Sequence, residues 1–136
     1  MPKMIFVNFP ITDLTRSIAF YTAIGGTKNP KFSDESSACI VLSDTIHVML
    51  LTHEKYRVFT SRPIADSHTT SAALIALTVD NRAEVDATLE RAVAAGGQAD
   101  PNPKQDHGFM CSRSVQDPDG NVWEIFWMDP PAAAGA

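Results

Sequence analysis

The chain lacks the features that mark disulfide scaffolds, nucleic-acid binders and membrane proteins. Its 136 residues include 2 cysteines, Cys39 and Cys111, and neither belongs to a Cys-x-x-Cys pair, so a disulfide framework or thiolate metal site is not indicated. The 11 Lys and Arg residues form no cluster and the net charge is -5, which argues against binding to nucleic-acid phosphates. No apolar run reaches membrane-spanning length, and Met1–Val7 is too short for a signal peptide. We therefore expect a cytoplasmic protein with no nucleic-acid or membrane partner.

What the sequence does contain is typical of a folded domain. Hydrophobic residues make up 44% of the chain and charged residues 20%, which is the balance of a globular protein. A chain of this length can bury a core without disulfides or a structural metal. We expect one domain over residues 1–130 and a disordered tail, rich in proline and alanine, over residues 130–136.

The first part of this domain has a recognisable order of elements. The β-rich run Met4–Phe9 predicts a strand, and Asp13 stands where a helix N-cap would, before a helix that Gly25-Gly26 ends. Three short strands are expected next: Lys28–Phe32, Ala38–Leu42 and Ile46–Leu51.

The same order returns later in the chain. Leu74–Val79 predicts a strand, Asn81 precedes a helix with Glu84 at the capping-box position, and Gly96-Gly97 ends that helix. Three more strands are expected: a weak one over residues 98–103, then Gly108–Val115 and Asn121–Met128. An internal duplication explains this repetition.

The duplication predicts an α+β fold of two tandem βαβββ modules, at about residues 1–54 and 72–129. Residues 55–71 would be a linker with one helical turn. Neither module covers both faces of its own sheet, so we expect a curved, half-open barrel with the helices outside and a concave central pocket.

The last strand carries the leading candidate for chemistry. The turn Asp117-Pro118-Asp119-Gly120 leads into it, and alternation places Val122, Glu124 and Phe126 on one face. A carboxylate among apolar residues is costly to bury unless a partner meets it. Glu124 is therefore the candidate catalytic residue, and its partner is the functional question.

Two segments together resemble a known superfamily. They are Ile11-Thr12-Asp13-Leu14-Thr15-Arg16-Ser17-Ile18-Ala19-Phe20-Tyr21 and Asp117-Pro118-Asp119-Gly120-Asn121-Val122-Trp123-Glu124. With the doubled βαβββ unit, they resemble the vicinal oxygen chelate superfamily of glyoxalase I, fosfomycin and bleomycin resistance proteins, and extradiol dioxygenases. The resemblance implies the fold firmly and the function weakly, because the superfamily supports several chemistries.

The resemblance also implies where metal ligands would lie. In similar enzymes, His or Glu side chains from the first and last strands of each module bind one divalent ion. In this sequence those positions fall on Phe6, on Leu74, on Leu50 or Met49, and on Glu124. One carboxylate and three hydrocarbon or thioether side chains are a poor ligand set, so no cofactor is predicted.

A shifted metal set is the alternative. It would use other residues, such as His107 with Glu124, to bind Zn, Ni, Mn or Fe. His47 shares a strand face with Met49 and not with Leu50, and His53 and His68 lie at strand ends or in loops.

The expected pocket is largely apolar. Its predicted lining residues are Phe6, Met49, Leu50, Leu74, Phe109, Cys111, Arg113 and Phe126. Arg113 would pair with Glu124 or hold an anionic substrate if its face lines the pocket; otherwise it is a rim or surface arginine. Cys111 would be a nucleophile only with a cationic neighbour such as Arg113.

Two functions follow from these residues. The first is a metal-free binding protein for a small, partly apolar molecule, as in bleomycin resistance proteins of similar fold. The second is a glyoxalase- or dioxygenase-type enzyme with a non-standard metal set, or with Glu124 as general acid or base. The resemblance and the exposed sheet edges also imply a homodimer.

Overall fold

A computed structural model describes residues 2–130. The chain divides between Asp66 and Ser67 into two compact units, so the boundary falls inside the segment predicted to be a linker. The disordered tail predicted for residues 130–136 lies, apart from Pro130, outside the described residues. No helix in residues 2–130 combines the length and the apolar composition needed to cross a membrane.

The first unit is a four-stranded sheet with one long helix. Its elements are β1 (Ile5–Ile11), α1 (Leu14–Ala23), β2 (Thr27–Asn29), β3 (Ser37–Val41), β4 (Ile46–Thr52) and the one-turn helix α2 (His53–Tyr56). The strand order is β1-β4-β3-β2. β1 runs parallel to β4, and the other neighbours are antiparallel.

Local chemistry sets the ends of these elements. The Asp13 side chain accepts a hydrogen bond from Arg16 N at 3.1 Å and caps α1, and Gly25 ends the helix region at a φ of +114°. β2 is shorter than the predicted strand Lys28–Phe32. Pro30 has no N–H for the sheet, and Pro30–Phe32 forms a 3₁₀ turn instead.

The sheet of the first unit has two different faces. Val48 and Leu50 on β4 are fully buried, as are their register partners Ile40 and Ala38 on β3. α1 packs against β3 and β4, so this is the helix-covered core face. The opposite face of β4 carries His47 and Met49.

The second unit repeats this plan. Its elements are β5 (Leu74–Thr78), α3 (Arg82–Ala94), β6 (Gln98–Ala99), β7 (Gln105–Asp106), β8 (Met110–Gln116) and β9 (Val122–Met128). The order is β5-β9-β8-β6, with β7 also pairing with β8, and β5 is parallel to β9. Together the two units confirm the predicted α+β class and the repeated βαβββ plan.

The segment predicted as a weak strand over residues 98–103 is different in the structure. Only Gln98 and Ala99 pair with β8, and the chain then turns at Asp100, whose φ is +56°. Aspartate tolerates this left-handed conformation better than most residues. The turn converts the rest of the predicted strand into a loop, residues 100–104, that lies between β6 and β7.

α3 covers one face of the second sheet. Asn81 caps it by accepting a hydrogen bond from Glu84 N at 3.0 Å. The helix packs on β8 and β9, and the buried side chains Val115, Trp123 and Ile125 lie on this side of the sheet. Alternation leaves Glu124 on the other side.

Candidate functional site

The turn before β9 is built around a buried aspartate. Asp117 is 2% exposed, and its Oδ1 accepts hydrogen bonds from Asp119 N at 2.9 Å and Asn121 N at 2.8 Å. Its Oδ2 accepts a third from Asn121 Nδ2 at 3.0 Å. These bonds fix where β9 begins and therefore where Glu124 points.

Gly120 is required in this turn for two reasons. Its φ is +95°, a conformation that side chains with a Cβ rarely adopt. A Cβ at this position would also lie 2.5 Å from His68 N and 2.6 Å from the carbonyl carbon of Ser67. The turn therefore packs directly against the backbone that enters the second unit.

Glu124 lies in a groove on the face of the second sheet opposite α3. The groove has a volume of about 340 Å³. Its lining residues are Ala76, Asn102, Pro103, Gln105, Met110, Ser112, Glu124 and Phe126. The register explains the grouping, because Ala76 on β5 is the strand partner of Glu124 and Ser112 on β8 is the partner of Phe126.

The partner of Glu124 is an amide. Asn102 Nδ2 donates to Glu124 Oε1 at 3.0 Å. Among the groove-lining residues that the structure describes there is no lysine, arginine or histidine. The carboxylate is thus met by one neutral donor and surrounded mainly by hydrocarbon.

A buried hydroxyl holds Asn102 in place. Ser114 is fully buried and is the register partner of Glu124 on β8. Its Oγ accepts from Asn102 N at 2.9 Å and donates to Asn102 O at 3.2 Å. The backbone of Asn102 is therefore fixed to the sheet next to the carboxylate that its side chain contacts.

Arg113 does not pair with Glu124 and does not line the groove that contains Glu124. Arg113 Nη2 and Nε donate to Asp100 at 2.6 and 3.1 Å, and Nη1 donates to Asp86 on α3 at 2.9 Å. The hydrogen bond from Arg113 lowers the pKa of Asp100, and the same bond raises the pKa of Arg113. Arg113 thus anchors the loop that carries Asn102.

Cys111 shares this helix-covered face and is 6% exposed. It lines a second, smaller cavity of about 180 Å³ beside α3, together with Arg82, Lys104 and Arg113. The prediction that Cys111 and Arg113 line the same pocket as Glu124 is therefore corrected: alternation puts them on the other face of β8.

Of the other residues of this unit that were predicted to line the pocket, one lines the groove and two do not. Phe126 lines the groove with Glu124. Phe109 is 53% exposed just before β8, and Leu74 is 57% exposed at the start of β5, and neither lines the groove. Ala76, two residues along the same face of β5, takes the position expected of Leu74.

In the first unit, the predicted site residues also separate. Leu50 is fully buried on the helix-covered face, so of the two alternatives for the β4 position it is Met49 that shares a face with Phe6. Phe6 is 48% exposed and stacks on His47 with ring centroids 4.4 Å apart. His47 is buried, and its Nδ1 has no hydrogen-bond partner within residues 2–130.

Acidic, thiol and imidazole side chains do not gather into a metal-binding group in the described part of the chain. Within residues 2–130, no three of them are placed to hold one ion. His107, the residue considered with Glu124 for a shifted set, has Nε2 at 3.0 Å from Gln105 Oε1.

Sequence reasoning missed the polar groove residues Asn102, Gln105 and Ser112. A strand over residues 98–103 does not predict the contact between Asn102 and Glu124. The sequence does contain a signal for a turn here. Asn102-Pro103 follows Asp100, and Asn, Asp and Pro together favour a turn.

The doubled βαβββ plan, with one carboxylate on the last strand, defines the class of fold. Comparison with protein families then identifies the family. The profile of the Glyoxalase/Bleomycin resistance protein/Dioxygenase superfamily matches residues 3–125. The chain therefore belongs to this superfamily. Comparison with curated proteins finds no significant match.

Solved structures have the same fold at low sequence identity. A glyoxalase-related enzyme from Fulvimarina pelagi is 23% identical with a TM-score of 0.77, over 93% of this chain and 88% of that one. A hypothetical protein from S. aureus is 21% identical with a TM-score of 0.76, over 93% and 94%. The fosfomycin resistance protein FosX from Mesorhizobium loti is 17% identical with a TM-score of 0.69, over 98% of both chains.

Proposed function

We propose that the chain binds a small, partly apolar molecule in the Glu124 groove and does so without a divalent ion. The groove carries this proposal. Its walls are mainly the hydrocarbon and thioether surfaces of Ala76, Pro103, Met110 and Phe126, with a few polar groups at fixed positions. Concave sites of this composition are typical of small-molecule binding.

The chemistry of the expected ligand positions supports the metal-free part of the proposal. Phe6, Leu74 and Met49 offer no oxygen or imidazole, and hard divalent ions need several such ligands. Asn102 turns its NH₂ group, not its carbonyl oxygen, toward Glu124. A hydrogen-bond donor at that position occupies a carboxylate oxygen that a divalent metal ion would need as a ligand.

Family membership supports a binding role without fixing the ligand. The superfamily name includes bleomycin resistance proteins, and one structure of the same fold is a fosfomycin resistance protein. Resistance by sequestration needs a groove and no turnover. The superfamily also includes dioxygenases, so catalysis through Glu124 or an added metal is the competing outcome of the test.

The test combines metal analysis of the purified protein with a substitution that fills the groove. We expect protein purified without a chelator to contain no stoichiometric metal. We also expect chemical-shift changes at β9 amides when benzyl alcohol is titrated into EDTA-dialysed protein. Ala76→Phe fills the groove and should weaken this binding about tenfold or more. Ala94→Phe, on the exposed surface of α3, is the matched control and should not.

Two results would contradict the proposal. One is a stoichiometric Zn, Ni, Mn or Fe ion that purified protein retains and Glu124→Gln loses, which would favour the enzyme. The other is an absence of any Ala76→Phe effect on probe binding.

We also propose that the chain forms a homodimer in the cytoplasm. β1 and β5 are the outer strands of their sheets and carry large exposed hydrophobic residues: Ile5 at 54%, Phe6 at 48% and Leu74 at 57%. Exposed apolar edge strands favour association with another copy.

A further inference from the structure

Building on the proposed binding function, we infer that the groove selects an organic cation. The ligand would have an apolar body and an ammonium, amidinium or protonated ring nitrogen that donates a hydrogen bond to Glu124. Three features support this class: the unused capacity of the carboxylate, the charge of the groove and the character of its walls.

The carboxylate has unused hydrogen-bonding capacity. Glu124 Oε1 accepts from Asn102 Nδ2 at 3.0 Å, and within residues 2–130 no donor reaches the other carboxylate oxygen. An ionised carboxylate accepts about four hydrogen bonds. A part-buried carboxylate with one neutral donor therefore favours a ligand that brings further donors.

The groove has a negative charge with no internal counterion. None of its lining residues that the structure describes is a cation. The arginines of this unit that are close in sequence to groove-lining residues form ion pairs with other carboxylates. Arg113 pairs with Asp100 and Asp86 at 2.6 and 2.9 Å, and Arg82 pairs with Asp106 at 2.7 Å.

Other ligand classes fit this charge poorly. A neutral apolar ligand would displace water from a carboxylate that has no cationic residue beside it in the groove, and an anion would be repelled by that carboxylate. A cation instead gives the carboxylate a charge-assisted hydrogen bond. The chain as a whole has a net charge of -5, which favours the approach of cations over anions.

The walls suit the rest of such a molecule. Phe126 contributes an aromatic ring, which attracts a cation, and Met110 contributes a polarizable thioether, which packs against an apolar body. Ser112, which has a hydroxyl at the groove, can accept a second hydrogen bond from a nitrogen donor.

Three probes with the same ring test the inference: benzylamine, which is a cation at pH 7, benzyl alcohol, which is neutral, and benzoate, which is an anion. We expect wild-type protein to bind benzylamine about tenfold or more tightly than benzyl alcohol, and benzoate most weakly, in NMR titrations. Glu124→Gln should bind the amine and the alcohol equally. Glu90→Gln removes the same charge from exposed α3 surface and should keep the preference.

A second variant keeps the test independent of how Glu124→Gln folds. Gln105 is an exposed groove residue, and Gln105→Lys places a cation in the wall while Glu124 stays in place. This variant should reduce the preference for benzylamine over benzyl alcohol at least fivefold, about 1 kcal/mol.

The possible results distinguish a failure of the cation preference from a failure of the proposed binding function. Equal binding of benzylamine and benzyl alcohol to wild type, or tighter binding of benzoate, overturns the cation preference and leaves a small-molecule groove. Failure of all three probes to shift β9 amides overturns both. Retention of the amine preference in Glu124→Gln shows that another group selects the cation, and it overturns the inference.

Discussion

The surroundings of Glu124 are held in place by residues that do not line the groove. Its partner Asn102 belongs to a loop held by Ser114 from the sheet and by the Asp100–Arg113 ion pair from the helix side. Asp100 is 38% exposed in its side chain, so solvent screens the pair and its contribution to stability is modest. Its effect on the position of Asn102 is the more important consequence.

The Asp100–Arg113 pair makes stability depend on pH in the acid range. The pKa of Asp100 is lower in the folded chain, mainly because Arg113 donates to it, so its contribution is complete above the unfolded value of about 3.9. That contribution is lost as pH falls through the folded pKa. We expect Asp100→Asn to lower the unfolding free energy by about 0.5 kcal/mol near neutral pH and to flatten its fall below about pH 4.

Urea unfolding between about pH 2 and pH 7 measures this effect. Asp44→Asn removes a carboxylate from an exposed turn and controls for the loss of charge. An acid limb that is equally steep in wild type and Asp100→Asn would rule out the linkage.

His47 is a second residue whose effect on the free energy of unfolding can be measured. His47 is 8% exposed, its ring stacks on Phe6, and its buried Nδ1 has no partner in the described residues. A buried polar atom without a hydrogen bond destabilises the fold. We expect His47→Phe, which preserves the stacked ring, to raise the unfolding free energy by about 1 kcal/mol. A lower midpoint of urea unfolding than in wild type would contradict this.

At the scale of elements, the two βαβββ units were predictable because their signals are local. Asp13 and Asn81 cap the helices as expected, and Gly25 and Gly96 follow their ends with φ values of +114° and +101°. Each of these features depends on a few neighbouring residues. The sequence therefore identified the two long helices and the longer strands in order, but not the short strand β7.

The site was harder to predict because its faces are decided by tertiary packing. β8 alternates correctly, with Cys111, Arg113 and Val115 on one face and Ser112 and Ser114 on the other. The sequence pattern places Cys111 and Arg113 in the pocket, but their face lies under α3. Both faces of this strand are covered, one by a helix and one by the loop of Asn102, so hydrophobicity alone could not distinguish them.

Two glycines with similar backbone angles test the turn before β9. Gly120 and Gly96 have φ values of +95° and +101°, but a Cβ would meet backbone atoms at 2.5 Å at Gly120 and nothing within 4 Å at Gly96. We expect Gly96→Ala to cost about 1 kcal/mol from backbone strain and Gly120→Ala about 1–3 kcal/mol more, because the backbone of Ser67 and His68 must move.

Urea unfolding of both variants gives the comparison. Equal losses would show that the close approach at Gly120 relaxes without cost, and the turn would then depend on backbone conformation alone.

At the scale of the whole molecule, the proposed homodimer gives a direct test. We expect light scattering to report twice the chain mass at micromolar concentration. Leu74→Lys places a charge on an outer strand that is 57% exposed, and it should shift the protein toward monomer. Val93→Lys, at a position 44% exposed on α3, is the matched control. A wild-type monomer, or a dimer insensitive to Leu74→Lys, would overturn the arrangement.

The bonds from Arg113 to Asp86 and Asp100 link the outer surface of α3 to the loop that carries Asn102. Asp86 is 58% exposed in its side chain and is absent from the groove lining. Variation at Asp86 can change how firmly that loop is held while the residues that line the groove stay the same. In the ligand site that we propose, loop rigidity and groove chemistry can therefore be engineered separately.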